Sequence, residues 1–152
     1  MDELFSILDE EESFLLQIDR QLQRCELSLS SKNTSHLEET FFQLENLLTE
    51  FSQLDEKRRD VFEEVKRKFG LSDTINFFDF CKQHPLLMER LFKIVDLLKN
   101  LSHKVERLRS LSEFHQAYFD FIVKLLNPPS FSIYNAKARL ETNPQRGFKA
   151  EG

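Results

Sequence analysis

The sequence predicts an all-α protein: an elongated antiparallel helical bundle, or coiled-coil hairpin, of three long helices plus one short helix, with a C-terminal tail. Three observations carry this. The 152 residues include only 3 Gly and 4 Pro, too few for an all-β chain, which needs a turn every ten residues or so. Apolar residues recur in alternating steps of four and three, the period of a coiled-coil seam. The stripes persist for roughly 30, 35 and 40 residues, so the helices would reach about 45 to 60 Å and pack lengthwise as a bundle. Residues 1–127 are expected to form the bundle domain. Residues 128–152, beyond Pro128 and Pro129, are expected to form a flexible tail.

The first helix is read from Leu4, Leu8, Leu15, Ile18, Leu22, Cys25 and Leu29, with Glu11 in one slot where the period expects an apolar residue. Its earliest acids, Asp2 and Glu3, suit the positive end of the helix dipole. The run SLSSKNTS (Ser28 to Ser35) breaks the pattern with turn formers. A second helix restarts near Thr34 or Ser35, where Ser35 and Glu38 have the spacing of a capping box. Its stripe is Leu37, Phe41, Leu44, Leu48 and Phe51, interrupted by LDEKRRD (Leu54 to Asp60) and resumed by Val61, Val65 and Phe69. Gly70 follows as a C-terminal cap able to take a left-handed conformation.

Ile75 to Cys81 (INFFDFC) predicts a short helix capped by Ser72 or Asp73, since no other segment could pair with a strand. Pro85 suits the first turn of the last helix. There Leu87, Leu91, Ile94, Leu98, Leu101, Val105 and Leu108 follow the four-three alternation without a miss. The register then slips by one, to Leu111, Phe114, Tyr118, Phe121 and Leu125, and Phe119, Ile122 and Leu126 add a second apolar face. One face satisfies a hairpin partner; a second asks for another helix.

Charge and composition exclude several functions. The net charge of −5 is the wrong sign for a general nucleic-acid binder, and Lys57 to Arg59 lie among Asp55, Glu56 and Asp60. No apolar run approaches the roughly 20 residues of a membrane span. The acidic start MDELFSILDEEE lacks a cationic signal region. Cys25 and Cys81 read as reduced thiols, and the expected location is the cytoplasm.

No catalytic constellation emerges. His36, His84, His103 and His115 form no pair at metal-ligand spacing, and neither cysteine has a ligand-like neighbour, so no metal or cofactor is expected. His115 reads as a partly buried structural histidine and His84, before Pro85, as a turn residue. The carboxylate pairs Glu38-Glu39, Asp55-Glu56 and Glu63-Glu64 lie among basic residues on a solvated face, and acid–base work needs them in a cleft. There is no Gly-rich phosphate loop and no nucleophile elbow. The chain is therefore not expected to be an enzyme.

The 16 Phe residues exceed what a thin bundle can bury, and exposed apolar patches mark partner sites. Phe114, Tyr118, Phe121, Ile122 and Leu125 can serve as bundle core or as a groove for a partner. Beyond the prolines, Phe131, Tyr134 and Phe148 stand isolated among polar residues, placed to anchor on a second partner.

These residues resemble the flagellar export chaperone family FlgN. The likeness rests on the order of the helices, the EKR step (Glu56 to Arg58), the FGL ending (Phe69 to Leu71), the polar–aromatic HQAYFDFIVKLL (His115 to Leu126) and IYNAKARL (Ile133 to Leu140). It spans roughly residues 1 to 140. Tyr134 matches the tail motif, while Ala138 stands where the family usually has glycine. The resemblance implies a type III export chaperone that holds the C-terminal amphipathic helices of the hook–filament junction proteins FlgK and FlgL. It would keep them from premature assembly and deliver them to the export-gate component FlhA. Carried to this chain, it assigns client binding to Phe114, Tyr118, Phe121, Ile122 and Leu125, and gate docking to Tyr134. Without client, the Phe-rich surface could pair with a second copy.

Three other readings fit parts of the pattern. The unbroken heptads from Leu87 to Leu108 suit a self-associating structural coiled coil. A helical chaperone for another secretion client would share the same features. A phosphotransfer domain would need an exposed histidine, for which His103 is the nearest candidate.

Overall fold

The computed structural model describes residues 1–31, 35–112 and 115–127. Within them the chain forms α1 (Asp2–Ser30), α2 (Leu37–Lys68), α3 (Phe77–Lys82), α4 (Pro85–Leu111) and α5 (Gln116–Leu126), and the described residues include no strand. The expected tail, with Phe131, Tyr134 and Phe148, lies outside them, as does Phe114.

Cross-helix ion pairs fix the directions. Arg90 Nε meets Asp9 Oδ1 at 2.8 Å, and Lys104 pairs with Asp19, so α4 runs parallel to α1. Arg58 meets Glu11 far from the short connection between Ser30 and Leu37, and these two points together set α2 antiparallel to both. The core lies along this three-helix seam. Leu4, Leu8, Leu15, Ile18, Leu22 and Cys25 of α1 are buried, as are all seven heptad residues from Leu87 to Leu108 of α4. At about 25 cal/mol per Å², this burial is the main force joining the long helices, since helices in isolation are marginal in water.

Local signals end most helices where side-chain chemistry demands. Gly70 has φ +62°, and Leu71 N donates to Lys66 O at 2.9 Å while Gly70 N donates to Arg67 O at 3.4 Å, a Schellman closure of α2. The basic residues Lys66, Arg67 and Lys68 fill that last turn, facing the negative end of the dipole. Pro85 opens α4 at its first positions.

Four expectations need correction. The capping residue of α2 is His36, which makes no side-chain capping bond, so the helix starts beyond the Ser35–Glu38 box. The cap of α3 is Asn76, whose Oδ1 accepts from Asp79 N at 2.8 Å; Ser72 instead bonds Thr74 within the preceding turn. Phe69 ends the α2 stripe 63% exposed, because the Schellman turn carries it off the packed face. The last long helix is two helices. α4 stops at Leu111, Ser112 is extended at φ −136°, ψ 102°, and α5 folds back along α4, with Arg109 Nη1 reaching Asp120 Oδ1 at 3.2 Å. The break falls where the heptad register slips, so the second apolar face belongs to a separate helix that packs on α2 as well as α4.

The charged interruption of α2 is not a solvated step. Asp55 and Arg58 are buried, and they face Glu11, itself 0% exposed. Arg58 bonds Asp55 and places its guanidinium 5.2 Å from the Phe77 ring centre. Burial pushes the Glu11 carboxyl up to about 7, Arg58 pulls it back and Asp55 adds to the rise. Glu11 thus occupies its apolar slot as a carboxyl that keeps its proton to a higher pH than a solvated one does.

Two short helices share the remaining side of the bundle, between α2 and α4. At one end Phe77 and Phe80 of α3 pack on Phe62 of α2, with ring centres 5.2 and 5.3 Å apart. At the other end Tyr118 and Phe119 of α5 pack on Phe41, at 4.5 and 6.0 Å. Phe41 and Phe62 stand about 31 Å apart along α2. Neither short helix covers that whole length, and α5 leaves an open edge against α2.

Candidate functional site

The open edge is set by how α5 divides its apolar residues. Phe119, Ile122 and Leu126, at steps of three and four, are each 0% exposed and insert between α4 and α2. Tyr118, Phe121 and Leu125 form the next stripe. Tyr118 and Leu125 are half-buried, while Phe121 is 51% exposed. This second stripe borders a groove of about 450 Å³, walled by Glu45, Leu48, Thr49, Ser52, Gln53 and Glu56 of α2 and by Phe121 and Leu125 of α5.

Tyr118 anchors one end. Its hydroxyl donates to the Phe41 carbonyl at 3.1 Å. Burial, with lesser effects of Glu45 and Cys25, pushes its phenol well above the ordinary range, so it remains a donor and ties α5 to α2. His115 packs beside it, its ring 5.2 Å from Phe41 and its Nδ1 2.6 Å from Ser112 Oγ. That contact holds the α4–α5 turn and matches the structural role expected of this histidine. His84 caps α4 with its ring 4.6 Å from Phe80.

The residues expected at a partner site therefore divide. Tyr118, Phe121 and Leu125 share one stripe, and Phe121 and Leu125 line the groove. Ile122 is a correction: its side chain is fully buried, because one helical step past Phe121 turns it about 100° into the core. Phe114 and Tyr134 lie outside the described residues. Glu45, Thr49, Ser52 and Glu56 were missed, because they sit on the polar side of a stripe and only the placement of α5 turns them into a wall.

The groove is apolar at its floor, where Leu48 is buried, and acidic at two points of its rim. Among the described residues neither Glu45 nor Glu56 is ion-paired. A larger hollow of about 710 Å³ on the α1–α4 side differs. It is walled mostly by polar residues, Asp2, Ser6, Asp9, Glu10 and Ser13 among them, and the Asp9–Arg90 pair crosses it with Arg90 stacked 4.7 Å over Phe5. A groove with an exposed aromatic wall offers more to an apolar helix than a hollow already bridged by charge. The thiols are buried and their values pushed up to about 12 by desolvation, so they are inert as nucleophiles. No group of three or more metal-ligating side chains occurs among the described residues. No helix of the described residues is long and apolar enough to cross a membrane.

Comparison with known families matches the description "FlgN protein" over residues 1–142, which is nearly the whole chain. The chain belongs to the FlgN family. FlgN proteins are chaperones of flagellar type III export rather than enzymes, so the FlgN match gives a context to a helical body that presents an apolar groove. No curated protein and no solved structure matches the chain.

Proposed function

We propose that this FlgN-family chain acts in the cytoplasm on the hook–filament junction proteins FlgK and FlgL, holding their C-terminal amphipathic helices in the α2–α5 groove. Covering those helices prevents premature assembly. The chain then delivers its client to FlhA, with Tyr134 as the docking aromatic. The observation that carries this reading is the half-exposed Phe121 beside Leu125, facing α2 across a groove in a member of an export-chaperone family. A client helix laid there would bury its own apolar stripe against these side chains, the helix-in-groove mode. Burying the exposed half of one Phe contributes only about 1 kcal/mol, and ordering the client opposes it, so the complex stays releasable. The self-associating rod loses its best support, since the Leu87–Leu108 heptads are buried within one chain. A homodimer through Phe121 in the absence of client remains part of the proposal.

The test is calorimetric titration of the full chain with a synthetic peptide of the FlgK or FlgL C-terminal helix. Saturable one-to-one binding that Phe121→Asp weakens at least tenfold supports the groove. Binding that survives Phe121→Asp and Leu125→Asp unchanged overturns it. Tyr134→Ala should leave peptide binding intact and abolish capture of the FlhA cytoplasmic domain; retained capture removes Tyr134 from the gate.

A further inference from the structure

We infer that the α2–α5 groove selects a client helix whose apolar stripe is flanked by basic side chains, with Glu45 and Glu56 as the specificity-determining residues. The inference rests on the client-binding role proposed for this groove, and it names the chemistry of what the groove takes.

The first observation is the shape of the α2 wall. Its middle is low, because Thr49 and Ser52 carry short side chains, and Phe121 and Leu125 of α5 stand across from it. Leu48 is buried beneath. Glu45 lies one turn before Thr49 and Glu56 one turn after Ser52, so a carboxylate closes each end of the wall. A large apolar side chain enters at the middle, and its neighbours a turn or two away meet an acid. The two acids are eleven residues apart in α2, about 16 Å along the helix. A helix laid along α2 brings residues seven or eleven apart onto one edge, and the long stems of Lys and Arg take up the difference.

The second is charge. Glu45 and Glu56 are exposed, neither is ion-paired among the described residues, and the groove has no cation in its walls. The same face of α2 continues with exposed Glu38, seven residues before Glu45, and exposed Asp60, four after Glu56. The bases of α2 in this stretch fall away from it. Lys57 is turned about 100° past Glu56, Arg58 is buried, and Arg59 reaches Asp55 at 3.6 Å. The single base of α5, Lys124, is likewise turned about 100° from Leu125 and is not part of the lining. An apolar helix flanked by acids would meet four carboxylates here and no counter-charge, whereas one flanked by bases meets complementary charge. Rim charges of this kind govern selection and capture rate more than tightness, which suits a complex that must release its client.

The experiment titrates the full chain with two designed helical peptides that share one apolar stripe. The first carries two Lys beside the stripe at eleven-residue spacing; the second carries Glu in their place. At low ionic strength the Lys peptide should bind about tenfold more tightly, since each exposed pair contributes about two- to fivefold, and salt near 0.5 M should erase most of the difference. Glu45→Lys with Glu56→Lys should reverse the order of the two peptides, a gain for the Glu peptide that an unfolded variant could not show. A FlgK or FlgL helix peptide should respond to this variant as the Lys peptide does. Glu3→Lys with Glu10→Lys changes two exposed acids of α1 and the net charge equally, and should leave the order as in the parent. Equal binding of the two peptides overturns the inference, as does an α1 variant that reverses them too, because net charge then explains the result. Phe121→Ser alters the groove without charge and separates the two levels. If it weakens the peptides while the Glu45 and Glu56 reversals change nothing, the groove holds its client without reading charge and this inference alone fails. If neither variant changes any binding, the client role of the groove fails and the inference falls with it.

Discussion

Glu11 of α1 and Arg58 of α2 meet across the buried seam, Oε1 to Nε at 3.5 Å, with both side chains almost wholly removed from water. At that distance the contact is an ion pair without a hydrogen bond, and neither Glu11 oxygen has a hydrogen-bond partner. Asp55 shares the same guanidinium, so two carboxyls divide one buried cation. Such a cluster adds little to stability, but it penalises any sliding of α1 along α2, because a one-turn shift would carry Glu11 away from Arg58 and leave it buried without a cation.

The proton on Glu11 makes the seam pH-dependent. Its folded value, about 7, lies above its ordinary 4.5. The stabilisation from this group is therefore complete below pH 4.5 and is lost as pH rises through 7. The loss is at most about 3 kcal/mol. Glu11→Gln removes the titration. Urea denaturation at pH 5 and pH 8 should show the parent losing more stability between the two than the variant does. Equal losses would mean that Glu11 is ionised throughout.

Removing the shared cation is the harsher change. Arg58→Met would leave Glu11 and Asp55 buried together without the guanidinium they share, while the exposed Arg59 stays 3.6 Å from Asp55. Breaking a buried pair from one side costs about 3–5 kcal/mol. The cost should be largest at pH 8 and smaller at pH 5.5, where a proton on Glu11 relieves the repulsion. Chemical denaturation of the variant at both values checks the sign. A loss independent of pH would assign the effect to packing on Phe77 alone.

This cluster also marks where sequence reading stops. Glu11 stood out as a polar residue in an apolar slot, and Asp55 to Arg58 as a charged interruption, but pairing them requires the register between helices, which no local period encodes. The α4 seam was fully legible, because every heptad residue from Leu87 to Leu108 is buried and periodicity reports burial directly. The end of α4 was half legible. The slip at Leu111 was visible, yet a change of apolar face is equally compatible with a continuous helix. Ser112 carries none of the Pro or Gly chemistry that announces a break. Reading on through it fused α5 to α4 and put Ile122 on the partner face. The acidic wall of the groove was illegible for the same reason, since α5 creates it by folding back.

Gly70 isolates a single backbone effect. Its φ of +62° is a left-handed conformation, and a Cβ built there meets nothing within 4 Å. Gly70→Ala should therefore destabilise by about 1–2 kcal/mol, the cost of placing an L side chain in that region, with no steric addition. Thermal unfolding checks it. A larger loss would show that the Schellman turn, and with it the partly buried Leu71, had rearranged.

Adjacent residues of α5 give the sharpest separation of core from surface. Ile122 is enclosed and Phe121 is half open. Ile122→Ala should cost about 2–5 kcal/mol by cavity formation, and its effect on client binding should follow the loss of folded protein. Phe121→Asp should change stability by no more than about 0.5 kcal/mol, as exposed positions do, while weakening client-peptide binding at least tenfold. Urea denaturation and titration of the same two preparations decide it. If Phe121→Asp unfolds the protein, the α2–α5 edge is closed in solution and Phe121 is core. If it leaves both stability and binding untouched, the client lies on another face of the bundle.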